Sequence, residues 1–159
     1  MSVTVDKREV SRGDDDLLDA AWSLKERIRI ETGLLRQRRG FFADAYRRAT
    51  VHAYLTPDGH LVGFAAARHD GYVLFLAVDP DYQGEGFGER LICAVADDAR
   101  TVTCHARVSN DRALGFYRHL GFRIVREIDN YYEDGEGAYY LRLGETEGLR
   151  DRLSEYFRR

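Results

Sequence analysis

Residues 83–88, Gln83, Gly84, Glu85, Gly86, Phe87 and Gly88, form a glycine-rich turn. An apolar, β-prone run over residues 72–78 precedes it, and Leu91, Ile92, Val95 and Ala96 recur after it at helical spacing. A strand that passes through such a turn into a helix can hold an anion. Glycines let successive backbone N–H groups converge, and the following helix directs the positive end of its dipole at the same point. The expected ligand is a phosphate. Two phosphate-binding turns are excluded. No lysine follows the glycines as a P-loop requires, and Glu89 stands where a dinucleotide fingerprint needs its third glycine. Glu85 and Glu89 bring negative charge to the cradle, so both must point away from it.

A second segment, residues 108–122, carries Asn110, Ala113, Phe116, Tyr117, Leu120, Gly121 and Phe122. Asn110 or Ser109 can cap a short helix, Ala113 permits close approach, and Gly121 can terminate the helix ahead of a new strand. A third segment, residues 130–143, is dense in tyrosine. Together these motifs resemble the GNAT N-acetyltransferases. Gln83-x-x-Gly86-x-Gly88 looks like the family's acetyl-CoA loop, and Asn110-x-x-Ala113 through Tyr117 to Gly121-Phe122 looks like its later motif. Residues 130–139 are similar to the Tyr-Tyr-x-Asp-Gly-Glu-Asp-Ala-Tyr segment of its N-terminal, RimI-like protein acetyltransferase branch.

The resemblance implies direct transfer from acetyl-CoA to an amine, with a base to deprotonate the ammonium and an acid to protonate the departing thiolate. Tyr117 falls at the acid's position, and a phenol with an ordinary pKa of about 10 suits a thiol of about 8.5. His105 stands where the bacterial ribosomal-protein branch has a glutamate. It matches a second group of N-terminal acetyltransferases that pairs a histidine with a tyrosine, here Tyr72. Either of these, or an ordered water, would be the base. The cosubstrate is expected along Leu76, Ala77 and Val78, at the N–H groups of Gln83, Gly84, Glu85, Gly86, Phe87, Gly88 and Glu89, and at Asn110 and Tyr117. Tyr131, Tyr132 and Tyr139 would form the acceptor wall. The acceptor stays open among a protein N-terminus, a lysine and a small amine or polyamine, the last two drawn by Glu133, Asp134 and Glu136. A regulatory module that binds acetyl-CoA without turnover is a further alternative. A basic stretch at Arg36, Arg38 and Arg39 could favour an acidic peptide or be a solvated helix face.

The elements needed to position these groups can be read along the chain. Val3 and Val5 alternate as an edge strand, a helix runs from the Asp14–Asp16 acids to about Ile30, and a second runs from Leu34 to Arg48 with Leu35, Phe41, Phe42, Ala45 and Tyr46. Val51–Leu55 and Leu61–Ala67 flank a turn at Pro57, Asp58 and Gly59. A strand from Tyr72 then enters the glycine turn and its helix. Strand Thr101–Ala106, the Asn110 helix and a hairpin of Phe122–Ile128 with Ala138–Leu143 follow, and a C-terminal helix carries Leu149, Leu153, Tyr156 and Phe157. The expectation is an α/β (α+β) GNAT fold over residues 1–144, with a helical extension at 145–159. Its mostly antiparallel sheet of about seven strands would splay at the cosubstrate site.

With 159 residues, 44% of them hydrophobic, the chain suits one domain with a real core. No apolar stretch is long enough to cross a bilayer and no signal-like segment opens the chain, so a cytoplasmic protein without membrane contact is expected. A net charge of −3 argues against nucleic-acid binding. Cys93 and Cys104 lack both a disulfide framework and metal-ligand spacing, so buried free thiols and no metal cofactor are expected. The resemblance also allows a homodimer.

Overall fold

The computed structural model describes residues 4–144. The expected C-terminal helix lies outside them, as does Val3. The described elements are β1 (Asp6–Val10), α1 (Leu18–Thr32), α2 (Arg39–Arg48), β2 (Thr50–Leu55), β3 (Leu61–Ala67), β4 (Val73–Val78), α3 (Phe87–Asp97), β5 (Val102–Arg107), α4 (Asp111–Leu120), β6 (Arg123–Ile128) and β7 (Ala138–Leu143). β1, β2, β3 and β4 form one antiparallel sheet in that order, and a second has the order β5-β7-β6. A single parallel bridge between Tyr72 and Thr103 joins them. The expected single splayed sheet is therefore two sheets that touch at one end and part at the other.

The parting has a local cause. Phe75 lies opposite Ala66 but Val73 lies opposite Ala67, so Leu74 is an extra residue that bulges β4. Next to the bulge, Gly71 turns with φ 86°, and a Cβ there would lie 1.9 Å from the Thr101 carbonyl oxygen. The Gly71 carbonyl in turn accepts from the Thr103 N–H at 3.0 Å. Only glycine allows β4 and β5 to meet this closely before they diverge.

β3 is buried along its whole length, as its near-continuous apolar sequence dictates for a strand covered on both faces. On one face α1 and α2 pack an aromatic group around Phe42, whose ring centroid is 4.7 Å from that of Phe75 and 5.5 Å from that of Trp22. On the other, Leu91, Ile92 and Val95 of α3 join Leu114, Tyr117 and Leu120 of α4 in a second core.

Several boundaries differ from the sequence reading. Among the described residues the edge strand is Asp6–Val10, so Val5 precedes it, and only Val10 of the strand is buried. α2 begins at Arg39, not Leu34. Gly33 ends α1 in a left-handed conformation, and the Gln37 carbonyl accepts from the buried Lys25 Nζ at 2.5 Å in place of a helical N–H. Leu35 accordingly has φ 58°, and Phe41 is exposed whereas Phe42, Ala45 and Tyr46 are buried. Tyr72 precedes β4 and belongs to the bridge. Cys93 is only half-buried, while Cys104 is buried; neither forms a disulfide.

Candidate active site

Beyond the bulge, Asp79 N–H donates to Val62 O at 2.8 Å. In the same antiparallel register Ala77 pairs with Phe64. The peptide groups of Leu76 and Val78 thus point to the open edge facing the parted β5, while those of Ala77 are turned toward β3. This narrows the expected cosubstrate edge from three residues to two. The Val78 carbonyl already accepts from Gln83 Nε2 at 3.3 Å.

Asp79, 2% exposed, anchors the start of the loop. Its Oδ1 accepts from Asp81 N–H at 2.9 Å, capping a short 3-10 turn at Pro80–Tyr82, and from Arg27 Nη1 at 2.8 Å; its Oδ2 lies 2.8 Å from His60 Nε2. Burial alone would raise the Asp79 pKa, but the Asp81 N–H, His60 and Arg27 together hold it below the usual carboxylate range.

Gly84 and Gly86 have φ of 83° and 85°, conformations that leave their N–H groups free of helical pairing. Among the described residues, no acceptor is assigned to the N–H groups of residues 84–89. Such unpaired donors at the start of α3 fit a phosphate. Gly88 has another role, since a Cβ there would lie 3.1 Å from the Phe116 ring; it lets α4 lie against α3. Glu85 is exposed, and Glu89 turns to His119 at 3.5 Å, so both acids lie away from the cradle as it requires. Sequence reasoning missed Arg112, whose Nη2 donates to Gln83 Oε1 at 2.5 Å and brings a cation to the loop. Its place one turn into the Asn110 helix was the available signal. Asn110 caps α4, with Oδ1 accepting from Ala113 N–H at 3.2 Å.

His105 and Tyr117 approach from opposite sides of β5. Tyr117 is buried with Cys104, Leu141 and Phe122 in the α3–α4 core. His105 is half-buried on the other face, 2.5 Å from the Tyr72 hydroxyl through Nδ1. The Tyr131 ring stacks on His105 at 4.5 Å and 13°, and Tyr140 closes the third side at 5.0 Å. Burial, then the Arg126 guanidinium, lowers the His105 pKa, so the ring is neutral at pH 7 and able to accept a proton.

The phenols form one electrostatic group. Burial pushes the Tyr117 hydroxyl well above its ordinary value, with further contributions from Cys104, Tyr132 and Tyr72. Burial likewise raises Tyr72, aided by Tyr131, and raises Tyr132 to about 12. Cys104, hydrogen-bonded to Tyr117, is pushed up to about 12 by burial, so its thiol stays neutral.

Tyr131 and Tyr132 are thus gathered with His105, but Tyr139 is not. Side chains alternate along β7, which puts Tyr139 against the α3–α4 core and leaves Tyr140 facing His105. Tyr140 and Arg126 lie in register across β7 and β6, and neither was marked by the sequence reading. Two of the three expected acids of the β6–β7 hairpin, Asp134 and Glu136, are also committed, whereas Glu133 is exposed. Arg107 Nη1 reaches Asp134 and Glu136, each at 2.9 Å, and Arg36 Nη1 reaches Asp134 at 3.2 Å. Arg36 thereby ties the α1–α2 loop to the hairpin, while Arg39 pairs with Asp19 at 2.6 Å. Most of the apparent basic patch is internally neutralised.

The profile of the Acetyltransferase (GNAT) family matches residues 15–122. The chain is 39% identical over 94 residues to the N-alpha-acetyltransferase RimI of Mycobacterium tuberculosis, covering 53% of this chain and 60% of that protein. It is 30% identical over 128 residues to the ribosomal protein bS18-alanine N-acetyltransferase of Salmonella typhimurium, covering 76% and 84%. The crystal structure of the ribosomal-protein-S18-alanine N-acetyltransferase from Escherichia coli superposes with a TM-score of 0.74 at 25% identity, covering 89% of this chain and 94% of that one. The chain spans about three fifths of the length of several curated relatives, 62%, 60% and 63% for those from Bacillus subtilis, Mycobacterium tuberculosis and Sulfurisphaera tokodaii.

Proposed function

The chain belongs to the acetyltransferase (GNAT) family, and on that premise we propose that it transfers an acetyl group from acetyl-CoA to the α-amino group of a protein or peptide. The observation that carries this reading is the neutral His105, paired with Tyr72 and walled by Tyr131 and Tyr140, across β5 from Tyr117 at the parted sheets. Relatives named N-alpha-acetyltransferases support the choice of acceptor. So does the pairing of Asp134 and Glu136 with Arg107, which leaves Glu133 as the one hairpin acid of the three, among the described residues, with no assigned cation and so open to a lysine or polyamine.

Acetyl-CoA supplies a thioester whose C–S bond breaks as the new C–N bond forms. The N–H groups of residues 84–89 and Arg112 hold its phosphates, and the open edge at Leu76 and Val78 hydrogen-bonds its amides. His105 removes the ammonium proton, directly or through water, so that the amine lone pair is free to attack. Tyr117 gives its proton to the leaving sulfur, exchanging the Cys104 sulfur for that of the cosubstrate, and the second proton shed by the new amide nitrogen restores the phenol through water. The tyrosine wall excludes water, and the chain acts in the cytoplasm.

CoA release is the test, measured with acetyl-CoA and three acceptors: a lysine-free peptide with a free N-terminus, an N-blocked peptide containing lysine, and spermidine. Turnover on the first alone is expected. Turnover only on the second or third would overturn the α-amine reading, and none on any would favour a binding module.

A further inference from the structure

His52 lies on β2, on the face covered by α3, and is 3% exposed. Its Nε2 is 3.2 Å from Asp98 Oδ2, at the C-terminal cap of α3, and its Nδ1 is 3.6 Å from Glu9 Oε1, on the directly opposed residue of β1. Among the described residues, Nδ1 has no hydrogen-bond partner. With Nε2–H donating to Asp98, the buried Nδ1 presents a bare lone pair to the exposed Glu9 carboxylate. A buried acceptor aimed at a carboxylate calls for a bridging donor or a cation, and a metal ion would satisfy both atoms at once.

We infer that Glu9 and His52 Nδ1 bind a divalent transition-metal ion of the zinc class, with Asp98 orienting the imidazole through Nε2. An ion roughly 2.0–2.2 Å from both Nδ1 and Oε1 would subtend an angle of about 110–130° across their 3.6 Å separation, tetrahedral at the longer bond lengths. Water completes the coordination. The carboxylate, imidazole and ion then stand in the order found where a second carboxylate fixes a ligating histidine. One donor atom each from Glu9, His52 and Asp98 lie within 4.8 Å of one another. Two further features favour a cation: the C-terminal carbonyls of α3 carry partial negative charge, and the Glu9 side chain is exposed enough to close on an ion. Lys7 is the opposing charge, acting on His52 through space.

The two ligands and the orienting carboxylate come from β1, β2 and the end of α3, far apart in sequence, so no spacing motif announces them. The site lies at the opposite end of α3 from the glycine loop, roughly 16 Å away along an 11-residue helix. Its role is to clamp the edge strand β1 to α3, and the ion takes no part in acetyl transfer.

Calorimetric titration of tag-free, EDTA-treated protein with zinc chloride tests the site, alongside thermal melts with and without zinc. One saturable ion per chain and a raised Tm are expected. Glu9→Gln should abolish this binding, and Asp98→Asn should weaken it tenfold or more. Both alter exposed side chains, and their melts in EDTA check folding independently of the ion. Acetyl-CoA turnover should be unchanged in Glu9→Gln. The absence of saturable binding, or full affinity in Glu9→Gln, would overturn the inference; the latter would assign the ion to another histidine such as His105.

Discussion

The Tyr72 hydroxyl lies 2.5 Å from His105 Nδ1, next to the one bridge that joins the two sheets. The contact decides which histidine nitrogen can work. Tyr72 is also hydrogen-bonded to Tyr131, and if its proton goes there, its oxygen accepts Nδ1–H and leaves Nε2 as the free base. Tyr72 would then be a positioning residue, and His105 the group proposed to meet the amine.

His105→Ala should remove the acidic limb from the pH profile of kcat/KM. Burial and Arg126 lower the His105 pKa, and a base is lost as pH falls through its pKa, so the limb lies below about 6.5 in the native protein. Arg126→Gln removes one of the two causes and should move the limb to higher pH. A limb that stays in place in both variants would assign it to another group.

Tyr117→Phe should lower kcat by a factor on the order of 10²–10⁴, the usual value of a positioned acid, with little change in acetyl-CoA affinity. Burial keeps the phenol protonated well beyond its ordinary pKa, so no basic limb below about pH 10 should come from it. Stopped-flow binding and steady-state rates separate the two effects. An equal loss of affinity would make Tyr117 a packing residue.

Gly86→Ala should raise KM for acetyl-CoA with kcat largely retained. At φ 85° an added Cβ costs about 1–2 kcal/mol, and relief of that strain turns the loop's N–H groups off the phosphates.

Asp79→Asn should destabilise the fold by about 1–3 kcal/mol in urea titrations, because Arg27 and His60 lose a buried charged partner. The native carboxylate has a folded pKa below its unfolded value of about 3.9. Its stabilisation is therefore complete above that value and is lost as pH falls through the folded pKa. The variant should show a shallower loss of stability below pH 4.

The sequence alone determined the order of the described elements and the glycine turn between β4 and α3, because these rest on local rules. Glycine at 84 and 86, apolar periodicity in Leu91, Ile92 and Val95, and the Asn110 cap with its Gly121 stop act within a few residues of themselves. The extent of α2 was not legible, since Lys25 claims the Gln37 carbonyl from twelve positions away. Tertiary structure alone decided which tyrosines share a face. Strand alternation and the β5–β7 register put Tyr140 beside His105 and send Tyr139 into the core, although the two are neighbours in a tyrosine-rich run. It also decided that Asp134 and Glu136 are paired with Arg107 and Arg36, and that Glu9, His52 and Asp98 meet. Those contacts depend on how strands and helices distant in the chain are laid against one another.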